Sequence, residues 1–514
     1  MSNFLDLVDL VSETVGGAVL AASDEFFAPK ENLLKASEAR WIADKYTDRG
    51  KWMDGWETRR RRSPGHDWVI VRLGLAGALR GVVIDTRHFR GNYPDSCSID
   101  VCTLPGNPST EELLTDGIPW REVLPQSKLD GHAKNKFEID DPAGINTRVT
   151  HLRLNVHPDG GVARLRVHGE VIPDWDYIDF RGGRIDLASI ENGGRVLAQS
   201  DMFFGSSHNL IMPGPARDMS EGWDTRRRRG PGNDWAIIKL GARGTIDRLE
   251  VDTTHFVGNA PGSCSVESCT VPRDRDGDVG FLTSGYCNWK PFLPEVPLQP
   301  NSRQFFEQEI VGAEPVTHVR FNIYPDGGVA RLRLYGTTQR SAGIRSALAR
   351  LNASSDEEFE TDMLACCGSS AWGQAMAEAR PFADVASLVR TADQAWSKLD
   401  KFDWLEAFAA HPRIGESKEG GDRSISWSRN EQSGLANASD AELDRLAEAN
   451  RSYYEQFGYT FIVYASGKSA AKMLSLLRER LDNDADEELK IAAEEQRKIT
   501  RVRLGKLLRS KSDH

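Results

Sequence analysis

The sequence predicts two repeated all-β jelly-roll sandwiches followed by an all-α helical bundle, and three observations carry that prediction. The first two thirds of the chain say nearly everything twice. Inside each copy, short β-branched runs alternate with turn chemistry. Near residue 343 the texture changes to apolar residues at helical spacing behind capping signals.

The duplication sets the organisation. "GGAVLAASDEFF" (16–27) returns as "GGRVLAQSDMFF" (193–204), "GWETRRRRSPGHDW" (55–68) as "GWDTRRRRGPGNDW" (222–235), and "DTRHFRGNYPDSCSIDVC" (85–102) as "DTTHFVGNAPGSCSVESC" (252–269). "HLRLNVHPDGGVARLRVHG" (151–169) returns as "HVRFNIYPDGGVARLRLYG" (318–336). The unit is about 160 residues, a domain rather than a solenoid repeat. The copies are expected at 16–175 and 193–340, with 176–192 as linker and 344–514 as a separate helical domain.

"DWVIVRLG", "LRGVVIDT", "THLRLNVH" and "VARLRVHG" are strand-like, and "SPGHD", "RGNYPDS" and "HPDGG" between them are turns. Short strands with polar turns in a domain of this size read as a sandwich. After 343, Ser355 and Glu358 have capping-box spacing ahead of Phe359, Met363 and Cys366. Ser439 and Glu442 repeat the device ahead of Leu443, Leu446, Tyr453 and Phe457, with Gly458 as the residue after the helix end.

Composition excludes several classes. At 514 residues and a net charge of −11, nucleic acid is not the expected partner, and the arginine quartets are local features of an acidic protein. No apolar run approaches the roughly 18–20 residues of a membrane span. The acidic N-terminus has no basic region or cleavage site of a secretory signal. Seven cysteines without a CxxC argue against a disulfide framework or zinc site, so a cytoplasmic protein is expected.

Each quartet is fixed between Trp-acid-Thr and Asp-Trp, and it has stayed alike while other segments of the two copies drifted. Guanidinium forks suit planar carboxylates. Asp24 and Asp201, Glu57 and Asp224, His88 and His255, and Asn92 and Asn259 recur around them. Such a set can supply acid, base and hydrogen-bonding groups for hydrolysis of a small polar anion. Asp159 and Asp326, in the unaltered "PDGGVARLR", read equally well as turn caps.

These doubled motifs resemble the allantoicase family over about 16–340. The resemblance implies two related jelly-roll lobes and hydrolysis of allantoate to ureidoglycolate and urea. It implies roles for Asp24, Glu57, His88 and the Arg59–Arg62 loop (Arg59 and Arg60 binding substrate with Asn92), and for Asp201, Asp224, His255 and Arg226–Arg229 (Arg226 and Arg227 binding with Asn259). Whether one lobe or both hold a site stays open, as does a divalent metal, since no HxH or HExxH spacing appears. Jelly-roll pairs also serve as non-catalytic ligand-binding modules, the alternative reading.

In the last third, "HPRIG" (411–415), "WSRNEQ" (427–432), "NRSYYEQFGYTFIV" (450–463) and "KITRVRL" (498–504) resemble the OHCU decarboxylase family (2-oxo-4-hydroxy-4-carboxy-5-ureidoimidazoline decarboxylase) over about 344–508. That resemblance implies an all-α fold and decarboxylation to (S)-allantoin without a cofactor. His411 suits proton transfer and Glu431 orientation or hydroxyl deprotonation. Gln432 suits reading an amide edge, Arg503 an anionic oxygen, and Pro412 fixing the backbone. The expected partners are small ureido acids, a second copy of the chain in a homo-oligomer, and an associated allantoinase.

Overall fold

The computed structural model describes residues 4–104, 106, 108–115, 117–140, 147–181, 183–411, 440–465 and 470–512. Packing divides the chain into two units: Met1–Pro173 with Arg184–Gln339, and Asp174–Gly183 with Arg340–His514.

The first unit holds both repeats, each built around one 19-residue strand, Asp67–Asp85 in lobe 1 and Asp234–Asp252 in lobe 2. The start of Asp67–Asp85 pairs antiparallel with Ala18–Ala22 (Val19 opposite Val71) and Val149–His157 (Leu154 opposite Val69). Its end pairs with Arg164–Val171 (Leu165 opposite Ile84) and Lys134–Glu138 (Phe137 opposite Val82). One long strand thus serves two sets of neighbours, and the changeover falls in "RLGLAGALRG". Glycine is required there, because a Cβ on Gly74 would stand 2.4 Å from the Gly17 amide and one on Gly77 2.1 Å from the Glu170 carbonyl. Ser96–Cys102 and Arg121–Lys128 extend the sheet beyond Val149–His157. Lobe 2 repeats these pairings.

The inward residues of both lobes form one continuous apolar cluster that includes the fully buried Trp56 and Trp223. Burial of each such large side chain contributes roughly 1.5–3 kcal/mol. All seven cysteines are buried and free, and burial pushes the Cys97, Cys102 and Cys264 thiols up to about 12.

Both lobes begin earlier than the repeat pattern suggested. Val8–Asp9 pairs with Gly169 and His168, and Ile185–Asp186 with Gly336 and Tyr335. Two-residue strands have no periodicity to read, although "VDLVSETVGG" and "IDLASIENGG" carry the duplication this far. Asp174–Gly183, which overlaps the end of the first copy and the start of the 176–192 stretch expected to link the lobes, packs with the helical unit instead. Lobe 1 also has ten more residues than lobe 2 ahead of its arginine loop: Asp24 and Asp201 are 177 positions apart, Trp56 and Trp223 only 167. The extra chain includes a small hairpin, Tyr46–Thr47 with Gly50–Lys51.

The helical unit contains Trp175–Arg181, Gln339–Ala353, Asp356–Cys367, Ser370–Glu378, Val385–Ser397, Lys401–Ala409, Asp440–Phe457, Ala470–Arg480 and Ala485–Ser512. The capping box of Ser355 and Glu358 forms, and Gly368 ends that helix at φ 82°. Gly458 takes φ 80° after Phe457. Ser439 lies outside the described residues. Phe359, Met363, Cys366, Trp372 and Tyr453 are fully buried in the core of this unit. An enclosed carboxylate network in this unit centres on Glu488, which has no exposure and accepts from Arg480 Nε and Asn483 Nδ2, each at 2.8 Å, and from the Tyr453 hydroxyl. Among the described residues no helix is long and apolar enough to cross a membrane.

Candidate active sites

The arginine loops are held the same way in both lobes, and the holding explains why the quartet, the flanking Asp-Trp and "SD(E/M)FF" recur together. The first arginine binds the acid of "SD(E/M)FF". Asp24 accepts from the Arg59 amide at 2.7 Å and Nε at 2.9 Å, and Asp201 from the Arg226 amide at 2.8 Å and Nε at 2.9 Å. The third arginine turns inward. Arg61 donates to buried Asp67 at 2.8 Å and Arg228 to buried Asp234 at 2.5 Å, and Ser23 and Ser200 donate to the same carboxylates. The amides of Arg61 and Arg228 bind Asp159 at 2.8 Å and Asp326 at 2.7 Å, so those acids hold the loop from the "PDGG" turn. The second and fourth arginines, Arg60, Arg62, Arg227 and Arg229, are exposed, and among the described residues no acid pairs with them.

The "PDGG" turn brings the remaining pieces in. Gly161 lies opposite Glu57 and Gly328 opposite Asp224 in two-residue ladders. Gly160 has φ 141° and Gly327 φ 134°, and a Cβ on either would press on the backbone of the Asn92 or Asn259 loop. Those asparagines then reach the acids. Asn92 Nδ2 donates to Glu57 at 2.7 Å and Asn259 Nδ2 to Asp224 at 3.2 Å. Trp56 and Trp223 tie the strand to the carbonyls of Asp24 and Asp201 at 2.8 Å. Asp24, Glu57, the loop arginines and Asn92 therefore share one cluster in lobe 1, and Asp201, Asp224, the second loop and Asn259 share one in lobe 2.

The acids differ in character. Burial works to raise Asp24 and Asp201, but the amide and guanidinium of Arg59 and Arg226 outweigh it and hold both carboxyls below the usual range. Burial raises Glu57 against the single opposing bond from Asn92. Burial likewise raises Asp224, with the negative charge of Asp326 adding to it. A protonatable carboxyl beside unpaired guanidinium groups is the arrangement expected of an acid/base group in an anion site.

His88 and His255 have φ 74° and 75°, left-handed backbone uncommon for residues other than glycine. Each is pinned by two bonds. The His88 amide donates to His132 Nδ1 at 2.9 Å and the His255 amide to Asn301 Oδ1 at 2.9 Å. Nε2 lies 3.1 Å from the Ala39 carbonyl in lobe 1 and 3.0 Å from the Ala216 carbonyl in lobe 2. A carbonyl only accepts, so Nε2 carries the proton and Nδ1 the lone pair. In lobe 1 alone, Trp41 stacks on His88 with centroids 6.0 Å apart, and Arg49 lies over Phe26, 5.1 Å from its centroid. Among the described residues no group of three or more His, Cys, Asp or Glu could hold a metal ion.

In the helical unit, His411 follows Lys401–Ala409, its amide bonded to the Phe408 carbonyl at 3.1 Å. Burial and then the charge of Arg503 push it down to about 3, with Gln496 opposing. His411 Nε2 is buried without a hydrogen bond. Arg503 is 2% exposed on Ala485–Ser512, the helix that also carries Gln496 and Thr500. Gln496 Nε2 donates to the Cys367 carbonyl and to Thr500, while its Oε1 is buried without a partner. The structure thus brings His411 and Arg503 within electrostatic reach and adds Gln496, which sequence reasoning missed although it sits two turns ahead of Arg503. Pro412, Glu431 and Gln432 lie outside the described residues.

Comparison with known proteins agrees with this layout. The family model described as allantoicase repeat matches residues 8–172 and 185–339, and that of OHCU decarboxylase matches 352–505. A probable allantoicase of Pseudomonas paraeruginosa is 47% identical over 337 residues, 65% of this chain and 97% of that one. The crystal structure of allantoicase from Saccharomyces cerevisiae is 36% identical, with a TM-score of 0.52, covering 64% of this chain and 92% of that one. A crystal structure of OHCU decarboxylase in the presence of (S)-allantoin is 39% identical over 30% of this chain and 99% of that one, with a TM-score of 0.26. The reading of the β lobes as a non-catalytic binding module finds no support among these relatives. The chain belongs to the allantoicase family, and its two allantoicase repeats are followed by an OHCU decarboxylase domain.

Proposed function

We propose that the β unit hydrolyses allantoate to (S)-ureidoglycolate and urea, and that the helical unit decarboxylates OHCU to (S)-allantoin without a cofactor. The observation that carries the first half is that exposed Arg60 and Arg62, or Arg227 and Arg229, sit on the loop that directly follows a carboxyl, Glu57 or Asp224, whose proton affinity is raised by burial. The arginines take the substrate carboxylate. Glu57 or Asp224 accepts the proton of the attacking water and returns one to the departing ureido nitrogen, so the C–N bond breaks as the C–O bond forms. Asn92 or Asn259 orients that carboxyl, and His88 or His255 offers its Nδ1 lone pair. Asp24 and Asp201, held ionised by Arg59 and Arg226, position the loop.

For the second half, the leaving carboxylate of OHCU adjoins a ring C=N and C=O that receive its electron pair, so the protein need only orient the substrate and move a proton. Arg503 takes an anionic oxygen. An anion beside Arg503 also acts on His411, raising that imidazole toward the range useful for proton transfer. Pro412, Glu431 and Gln432 complete this centre.

The test is direct: urea release from allantoate and allantoin formation from OHCU by the purified full chain, the first assayed with and without added divalent metal. Absence of urea in both conditions defeats the hydrolase half, and absence of allantoin the decarboxylase half. Opening of the allantoin ring separates the two reactions, so a separate allantoinase is the partner this reading calls for, tested by co-elution. Self-association into a homo-oligomer is read by light scattering, and cytoplasmic residence by cell fractionation.

A further inference from the structure

Lobe 2 has an open cavity of ≈ 500 Å³ lined by Asp186, Glu250, Asp252, Arg303, Arg331 and Tyr335 among others, none of them assigned a role above. Its key pair is Asp252 and Arg331, directly opposite each other on neighbouring strands and 3% and 4% exposed. The same pair in lobe 1 is Asp85 opposite Arg164. The duplication therefore shows what each half of the pair accepts.

In lobe 1 both halves are filled by the chain itself. Arg87 lays its guanidinium on Asp85, with Nε 2.9 Å and Nη2 2.7 Å from Oδ2. Asp54 accepts from Arg164 Nη2 at 2.9 Å. In lobe 2 both occupants are missing. Thr254 stands in the place of Arg87, and among the described residues the Asp252 carboxylate accepts the Thr254 amide, at 2.8 Å, and no guanidinium. Arg331 donates Nε and Nη1 to the carbonyls of Gly214, Glu221 and Ala330. Its Nη2 comes no nearer to an acid than 3.9 Å, because Glu221, in the place of Asp54, is held by the amide and guanidinium of Arg217. Glu250, also in the lining, binds the Tyr335 hydroxyl at 3.0 Å and Arg303 at 2.6 Å, where lobe 1 has Val83 and a His168 covered by Phe4.

We propose that this cavity is a second ligand site, for a small molecule with a planar N–H fork (ureido or guanidino) at one end and a carboxylate at the other. The fork replaces the guanidinium of Arg87 on Asp252, and the carboxylate replaces that of Asp54 on Arg331. Cross-strand neighbours have Cβ atoms about 5 Å apart, so the molecule is short, a one- or two-carbon ureido or guanidino acid.

The probes are N-carbamoylglycine and guanidinoacetate, titrated separately into the full chain by calorimetry. At least one is expected to bind saturably, and to do so equally in the Arg60→Ala/Arg227→Ala double variant, which separates this site from the arginine loops. The stronger of the two identifies the head group. Thr254→Arg, which supplies lobe 2 with the guanidinium of lobe 1, is expected to weaken binding about tenfold or more. Asp252→Asn, isosteric and without a new side chain to accommodate, is expected to do the same with a melting transition near that of the parent. Wild-type titration by both variants overturns the proposal, as does failure of both probes to bind the folded chain. The readout is binding, so it stands whether or not urea is released.

Discussion

The two lobes hold their arginine loops bond for bond alike and differ in what surrounds them. Arg61 with Asp67 and Ser23 is matched by Arg228 with Asp234 and Ser200, and Arg59 with Asp24 by Arg226 with Asp201. Around lobe 1 lie Trp41 on His88, Arg49 over Phe26 and Arg87 on Asp85, and lobe 2 has none of these side chains. Its Phe203 and Phe204 are 64% and 65% exposed, against 39% and 37% for Phe26 and Phe27. The difference teaches that duplication preserved the loop scaffold while the two sites were free to become unequal. Lobe 1 is the more enclosed and self-satisfied, lobe 2 the more open.

The largest expected effect lies outside both lobes and serves as their control. His411→Ala lowers allantoin formation from OHCU about 10³-fold and leaves urea release from allantoate unchanged. Loss of both activities would show that the β lobes do not act independently of the helical centre. The same variant flattens the pH dependence of stability. In the unfolded chain this imidazole takes a proton near its ordinary 6.5, in the folded chain near 3, so the wild type loses stability as pH falls through that window.

Next come the raised carboxyls. Glu57→Gln is expected to lower kcat for urea release about 100-fold, and Asp224→Asn about tenfold. The asymmetry follows from the tighter hold of Asn92, at 2.7 Å against 3.2 Å. Equal losses would erase the distinction between the lobes. Because the folded Glu57 keeps its proton more tightly than the unfolded one, its contribution to stability is lost as pH rises through the folded pKa. Glu57→Gln therefore raises the thermal transition at pH 7 while it removes activity.

Arg61→Ala and Arg228→Ala should each destabilise by about 3 kcal/mol in chemical denaturation, since each leaves a buried carboxylate uncompensated. A clear difference between the two would mean that the loops are less alike than their bonds. The smallest effects belong to Arg60→Ala and Arg227→Ala, which raise KM for allantoate about tenfold with stability within about 0.5 kcal/mol of the parent. A rise confined to one of them assigns the working centre to that lobe.

Much of this was legible in the residues. The duplication, the turn chemistry and the Ser355 capping box gave the architecture, because each is a local or repeated signal. The recurring motifs located the candidate clusters, but not the division of labour within the quartet. Whether an arginine turns in to Asp67 or out to solvent depends on Asp159, 98 positions away. The left-handed backbone at His88 and His255 has no sequence mark, since glycine or asparagine is the usual occupant. The cavity of lobe 2 was invisible for another reason. It depends on residues scattered through the second copy, such as Thr254 in place of Arg87 and Glu250 in place of Val83, that differ inside motifs chosen for their sameness.

The ten residues Asp174–Gly183 carry a last consequence. They lie between the lobes in sequence, yet Asp179 sits 1% exposed in the helical unit, accepting from Ser341 Oγ at 2.7 Å and 3.0 Å from Arg340 Nε. A segment that falls between the two repeats in sequence therefore belongs to the helical unit. A ribosome releases this segment before lobe 2 exists, and must keep it waiting until the final third emerges. A cut after Gln339 would leave the decarboxylase match at 352–505 whole but would strip its unit of Asp179 and the segment around it.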